Sequence, residues 1–209
     1  MVPKAELSEF RSARERTRSL VTGLSEDEMA EQPAPERWSP GELVDHLLRS
    51  ERLWRGEIEE LVRLVRAGRQ AHLSRPLTDF PWPLVGVVPA PLLGLISVPL
   101  TLFSTFLPTR LVIGIVGQRT LKARAPEIIT PSRGRPAEEL KSELESESAA
   151  TAALFEDNDD LRFDRMVYHN PLIGVVDAVD LLRIVTAHEK RHHGQLIEIL
   201  EEIGVRGKA

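Results

Sequence analysis

Near the end of the chain, Leu181, Val185, His188, His192, Leu196, Ile199 and Ile203 follow one another at steps of three and four. That is the period of one helix face, and no strand pattern reproduces it. The face is apolar, so it must be buried, and two imidazoles stand in it where a helical core ordinarily carries Leu. His188 and His192 are separated by about 400° of rotation and project from the same side, one turn apart.

A second stripe answers the first. Leu43, Leu47, Trp54, Ile58, Leu61 and Val65 line one side of a helix that starts at Pro40 and runs to about Gly68, and His46 lies within that stripe. Its start is written in Ser39-Pro40-Gly41-Glu42. The Ser39 hydroxyl can accept an orphan backbone N–H, Pro40 has none to lose, and Glu42 can reach back to the cap. Two further helices are expected, over Leu7–Leu24 and from Pro136 to about Asp157. The helix carrying His188 is expected to span roughly Val175–Ile203, with Gly204 as its stop. Ser25-Glu26-Asp27-Glu28 has capping-box form and predicts one short extra turn before Pro33 and Pro35. Residues 158–170 read as polar and irregular, and no segment reads as a strand. The expected fold is all-α, an antiparallel four-helix bundle forming a single domain over residues 1–209.

One segment does not fit a plain bundle. From Phe80 to Thr109 there is no Asp, Glu, Lys or Arg, and Pro81, Pro83, Pro89, Pro91, Pro99 and Pro108 interrupt the stretch. Residues 80–117 therefore read as an apolar, Pro-rich insert between helices two and three. It exceeds the roughly 20 residues that span a bilayer. Its longest proline-free run, however, is only Leu100–Leu107, and each interior proline removes a backbone bond that lipid cannot replace. A pocket cover or a surface for a homodimer is favoured over membrane contact.

Composition narrows the chemistry. The 209 residues include no cysteine, which excludes a disulfide scaffold, a zinc ribbon, an iron–sulfur cluster and a cysteine nucleophile. Any thiol must come from outside. The net charge of −5 and the even scatter of Lys and Arg argue against a nucleic-acid partner. The first twenty residues carry charge throughout and lack the apolar run of a secretory signal, so a cytoplasmic location is expected.

Three imidazoles in facing core stripes need partners, because an unsatisfied buried polar group costs about 1–3 kcal/mol. Hydrogen bonds within the protein could serve them, and so could a divalent metal. Neutral imidazoles from two helices would supply three ligands and leave a position for water, the open arrangement of a catalytic site. The other histidines carry less. His193 lies about 100° round the helix from His192 and points toward solvent or a neighbouring helix; His72 borders the insert. Glu42 could orient His46 but is already explained by its cap. Gln195 could serve a pocket or helix packing, and Tyr168, His169 and Asn170 fall just before the last helix, where they could reach over a site.

At these residues the chain resembles the DinB-like (DinB/YfiT-type) metal-binding four-helix bundles. One match is GLSEDEMAEQPAPERWSPGELVDHLLRSERLW, Gly23 to Trp54, with its Trp-Ser, helix start and His-Leu. The other is YHNPLIGVVDAVDLLRIVTAHEKRHHGQLIEIL, Tyr168 to Leu200, with its His-x-x-x-His and a Gln three residues on. The resemblance implies that His46, His188 and His192 are metal ligands, with zinc or nickel the ions best suited to imidazole. It implies a metal-dependent S-transferase- or hydrolase-like enzyme in which the ion activates water or a low-molecular-weight thiol toward a small-molecule substrate. The rival expectation is a non-catalytic metal-binding or interaction protein, membrane-associated or self-associating through the insert. The sequence offers no convincing general base near the histidines.

Overall fold

A computed structural model describes residues 2–75, 129–170 and 173–205. The insert expected over 80–117 lies outside the described residues. Helix α1 spans Lys4–Val21, the short α2 Glu26–Ala30, α3 Pro40–Arg66, α4 Ala137–Glu156 and α5 Ala178–Glu202. The expected helices are all present, and the described chain is mostly helical.

The starts are set by the residues that the sequence marks. At α2, Glu28 N–H donates to Ser25 Oγ at 3.2 Å and Ser25 N–H donates to Glu28 Oε2 at 2.7 Å. At α3, Glu42 N–H donates to Ser39 Oγ at 3.1 Å and Ser39 N–H to Glu42 Oε2 at 2.9 Å. Both are reciprocal capping boxes, and each removes two orphan donors from a helix end. Gly204 takes a positive φ of 81°, and Val205 N–H turns back to the Leu200 carbonyl at 2.9 Å, closing α5.

Three expectations are corrected. The fold is not purely helical, residues 158–170 are not irregular throughout, and the last helix does not begin at Val175. Strands β1 (His72–Ser74), β2 (Val167–Asn170) and β3 (Gly174–Asp177) form a small sheet in the order β1-β2-β3. β1 and β2 run parallel with Leu73 opposite Tyr168; β2 and β3 run antiparallel with Tyr168 opposite Val176. Three- and four-residue strands are too short to display a period of two, and Val175-Val176 simply extends the apolar run of the helix that follows. That helix starts three residues later, where Asp177 caps it by accepting Asp180 N–H at 2.8 Å.

The four long helices pack in a ring: α1 against α5 and α4, and α3 against α5 and α4, with α2 tucked onto α3 and α4. The core is divided. One apolar cluster joins Leu7, Phe10, Ile58, Leu61, Phe155, Tyr168 and Val185, and the sheet closes that end. The other joins Leu20, Leu43, Leu48, Leu140, Leu144, Leu196 and Ile199. Between them lies a buried polar layer. Arg14 Nη2 donates to Glu51 Oε2 at 2.5 Å and lies 3.2 Å from Glu189 Oε2. The Thr17 and Thr151 hydroxyls donate to Glu189 Oε1 and Glu51 Oε1 at 2.5 and 2.6 Å. Among the described residues no helix is long and apolar enough to cross a membrane.

Gly41 makes the entry to α3 tight. A Cβ at this position would stand 2.9 Å from the Met29 carbonyl oxygen and 3.4 Å from Leu140 Cδ1. The first contact is with backbone, which cannot move aside as a side chain would. Gly41→Ala is therefore expected to destabilise the protein by about 1–3 kcal/mol despite alanine's better helix propensity. Urea denaturation measures this; an unchanged or higher midpoint would show that α2 is not packed so closely on α3.

Candidate metal centre

His46 projects from the second turn of α3 and His188 and His192 from the middle of α5, where those helices meet. On α5 the pair follows Val185 of one apolar cluster and precedes Leu196 of the other. Helix period and helix packing therefore bring together the three imidazoles that the sequence singles out. His46 and His192 are buried and His188 is partly open. The ring centroids are 5.1 Å apart for His46–His188, 5.0 Å for His46–His192 and 4.6 Å for His188–His192.

The nitrogens converge more closely than the rings. His188 Nε2 lies 3.3 Å from His46 Nε2 and 3.2 Å from His192 Nε2, and one ligand atom from each residue falls within 4.8 Å of the others. The outward nitrogens decide what these contacts mean. His46 Nδ1 lies 2.7 Å from the Ile129 carbonyl oxygen, which can only accept, so Nδ1 carries the hydrogen. His192 Nδ1 lies 2.8 Å from Gln195 Oε1, also an acceptor. In each neutral ring the inward Nε2 is then a bare lone pair. A hydrogen on His188 Nε2 can serve one of its two contacts and leaves the other ring's Nε2 lone pair without a donor; with that hydrogen on Nδ1, three lone pairs face one another. A divalent cation among the three would serve all of them, and three imidazole nitrogens, two of them on rings with oriented outer hydrogens, are a donor set that suits such an ion.

Protonation does not relieve the crowding. Burial pushes His192 down to about 3, with the neighbouring His46 adding to the effect. Burial likewise lowers His46, and it holds His188 well below the usual histidine range with His192 and His46 beside it. The Trp38 ring packs on His46 at 4.8 Å between centroids, closing one side of the site.

The remaining candidates are elsewhere. His193 faces α1, donating to the Ala13 carbonyl at 3.1 Å. His169 pairs with Ser74 at 3.4 Å on the sheet, and His72 is exposed on β1. Tyr168 is buried against Trp54 with centroids 6.2 Å apart, and Asn170 donates to its hydroxyl at 3.4 Å. Glu42 is spent on its cap, on Gln32 at 2.8 Å and on Arg133 at 3.1 Å, so it does not orient His46. Sequence reasoning missed the Ile129 carbonyl, since any residue type offers one.

The comparisons with known proteins agree in one respect. The model of a family described as the DinB superfamily matches residues 9–196. No curated protein and no solved structure matches the chain.

The shifted imidazoles make the metal-free fold sensitive to acid. Unfolded, all three take up protons near pH 6.5; folded, they stay neutral well below it, His192 to about pH 3. The unfolded state therefore binds more protons below pH 6.5, and stability is lost as pH falls from there toward 3. Thermal melts of metal-stripped protein are expected to be level above pH 7 and to fall below 6.5, less steeply in His192→Asn. An equal pH slope in that variant would contradict the burial of a neutral imidazole.

Proposed function

The chain belongs to the DinB superfamily, and from that premise we propose that His46, His188 and His192 hold one divalent metal ion, zinc or nickel, in a metal-dependent transferase or hydrolase that uses an external nucleophile on a small-molecule substrate. The observation that supports this reading most is the convergence of three Nε2 atoms, two of which, on His46 and His192, have outward partners that leave their lone pairs facing inward. When bound, the ion supplies Lewis acidity, enough to bring a water or the thiol of a low-molecular-weight cofactor into its nucleophilic form near neutral pH.

The chain's own residues prepare that chemistry. Ile129 and Gln195 fix the tautomers and ring planes of His46 and His192, so little reorganisation is needed on binding. Burial keeps the imidazoles neutral and therefore competent as ligands. Trp38 keeps water from one side of His46. No cysteine exists to serve as nucleophile, and Asp45, next to His46 in the sequence, is not free to act as a base. It is buried and bound by Arg49 at 2.7 Å, Arg135 at 2.8 Å and Ser132 N–H at 2.7 Å, which hold it below the usual carboxylate range against the opposing effect of burial. This favours a nucleophile that arrives from outside, with a low-molecular-weight thiol ahead of water. The lack of a free base at Asp45 is also what a non-catalytic metal-binding or interaction protein would show, and activity measurements separate the two.

The rest of the reading follows the family. The four long helices are taken as an antiparallel bundle forming one domain over residues 1–209, cytoplasmic, with 80–117 as an insert that covers the pocket or joins a homodimer in preference to contacting a membrane.

Purified without an affinity His tag, the protein is expected to carry one divalent ion per chain, and the His188→Ala/His192→Ala variant none. Metal retained at one per chain in that variant would refute the ligand assignment. Electrophiles screened with several cellular thiols should react faster with metal-loaded than with metal-stripped protein; equal rates would leave a metal-binding role without catalysis.

A further inference from the structure

We propose that the cavity between α1 and α4 is a second ligand site, separate from the histidine triad, and that it takes a small uncharged polyhydroxylated molecule with Arg14 as hydrogen-bond donor. The inference does not rest on the metal reading.

The cavity follows from side-chain size. Arg11, Arg14 and Arg18 stand on one face of α1 at steps of three and four. Across the seam, α4 answers them with Ser148, Ala149 and Ala152, none long enough to fill it. The space left measures about 370 Å³ and opens to the surface, a volume at the lower end of small-molecule sites. In the ring of helices this seam lies opposite the α3–α5 seam that holds the triad.

Arg14 is the part of the cavity wall least able to do without a partner. Its side chain is 2% exposed. Nη2 is turned to Glu51 and Glu189, but Nε and Nη1 are buried with no hydrogen-bond partner among the described residues. Those nitrogens can only donate. Buried donors in a folded protein are as a rule satisfied, and where the chain supplies no acceptor a bound molecule must.

Charge decides the class of that molecule. The lining sets Arg11, Arg14 and Arg18 against Glu15, Glu145 and Glu156, so its formal charges cancel. Each is also engaged: Arg11 pairs with Glu156 at 2.7 Å, Arg18 with Glu15 at 3.0 Å and with Glu145 at 3.2 Å, and Arg14 with the two buried carboxylates behind it. An anion would be repelled by more carboxylates than there are guanidiniums to attract it, and a cation could not accept from Arg14. A hydroxyl group both accepts and donates. Its oxygen can accept from Arg14 while its hydrogen, or that of a neighbouring hydroxyl, goes to a rim carboxylate or to Ser148.

Sorbitol is the probe, with sulfate and ethylammonium as charged comparisons. Polyols stabilise proteins generally through exclusion from their surface, so melting temperature cannot serve as the readout. The Nε–H resonance of Arg14 in ¹⁵N-labelled full-length protein serves instead. It is expected to shift saturably with sorbitol, in metal-loaded and metal-stripped protein alike, and with neither ion. Ala149→Leu, which fills the seam from an exposed position, is expected to weaken sorbitol binding by about tenfold or more, the scale of a lost hydrogen bond to a charged group. Ala149→Ser leaves the space open and is expected to keep most of the affinity. No saturable shift with sorbitol, equal binding in Ala149→Leu, an equal loss in Ala149→Ser, or saturation by sulfate or ethylammonium in place of sorbitol would each overturn the assignment.

Discussion

Three imidazole nitrogens converge on one point with at most one hydrogen among them, and much of this molecule is arranged to keep them there. His46 donates its outer hydrogen to a backbone carbonyl and His192 to a side-chain amide, so neither ring can turn to relieve the contact without breaking a hydrogen bond in a buried place. Neither ring can escape by taking a proton, since burial opposes the charged form. The positions of the rings follow from helix starts. The Ser39 capping box fixes the first turn of α3, and with it the height of His46. The Asp177 cap, set by the strand before it, fixes the first turn of α5 and the height of His188 and His192. Packing of α3 on α5 then closes the distance.

The polar layer around Arg14 shows what the fold accepts to keep its centre from being uniformly apolar. A guanidinium and two carboxylates are buried there, with side chains only 1–2% exposed. Burial raises Glu189 above the usual carboxylate range, against the pull of Arg14, and Nε and Nη1 of Arg14 find no hydrogen-bond partner among the described residues. Ion pairs of this kind recover their desolvation cost only in part, and hydrophobic replacements often match them in stability. Their contribution here is geometric: α1, α3, α4 and α5 each bring one or more members, so a slip of any helix along its axis breaks a buried hydrogen bond. The register that aligns His46 with His188 and His192 is held by the layer next to it.

The stripe running through Leu181, His188, His192 and Ile203 exposed the triad in the sequence because a helix places residues at three and four on one face, a property of the backbone alone. The capping boxes at Ser25 and Ser39 and the Gly204 stop were legible for the same reason: each is local. The sheet was not, since its strands are short and β1 pairs with β2 across more than ninety residues of chain. Nor was the bond from His46 to Ile129, 83 residues away and made to a group that every residue possesses. Gln195 was legible as a candidate but not as a partner, because packing and hydrogen bonding call for the same residue at that spacing. Arg14, Glu51 and Glu189 are charged residues of ordinary helical composition, and only the packed helices reveal that they face inward.

The central claim is that the hydrogens of His46 and His192 are fixed on Nδ1 and their Nε2 lone pairs wait for a cation. Imidazole ¹⁵N spectra of the labelled protein, recorded at neutral pH and titrated with zinc, test it most directly. The account predicts that in the metal-free protein His46 and His192 carry their hydrogen on Nδ1. One equivalent of zinc should then move the Nε2 resonances of His46, His188 and His192 together, leaving those of His72, His169 and His193 in place. Hydrogens found on Nε2 of His46 and His192, or a zinc response spread over the other histidines, would contradict it.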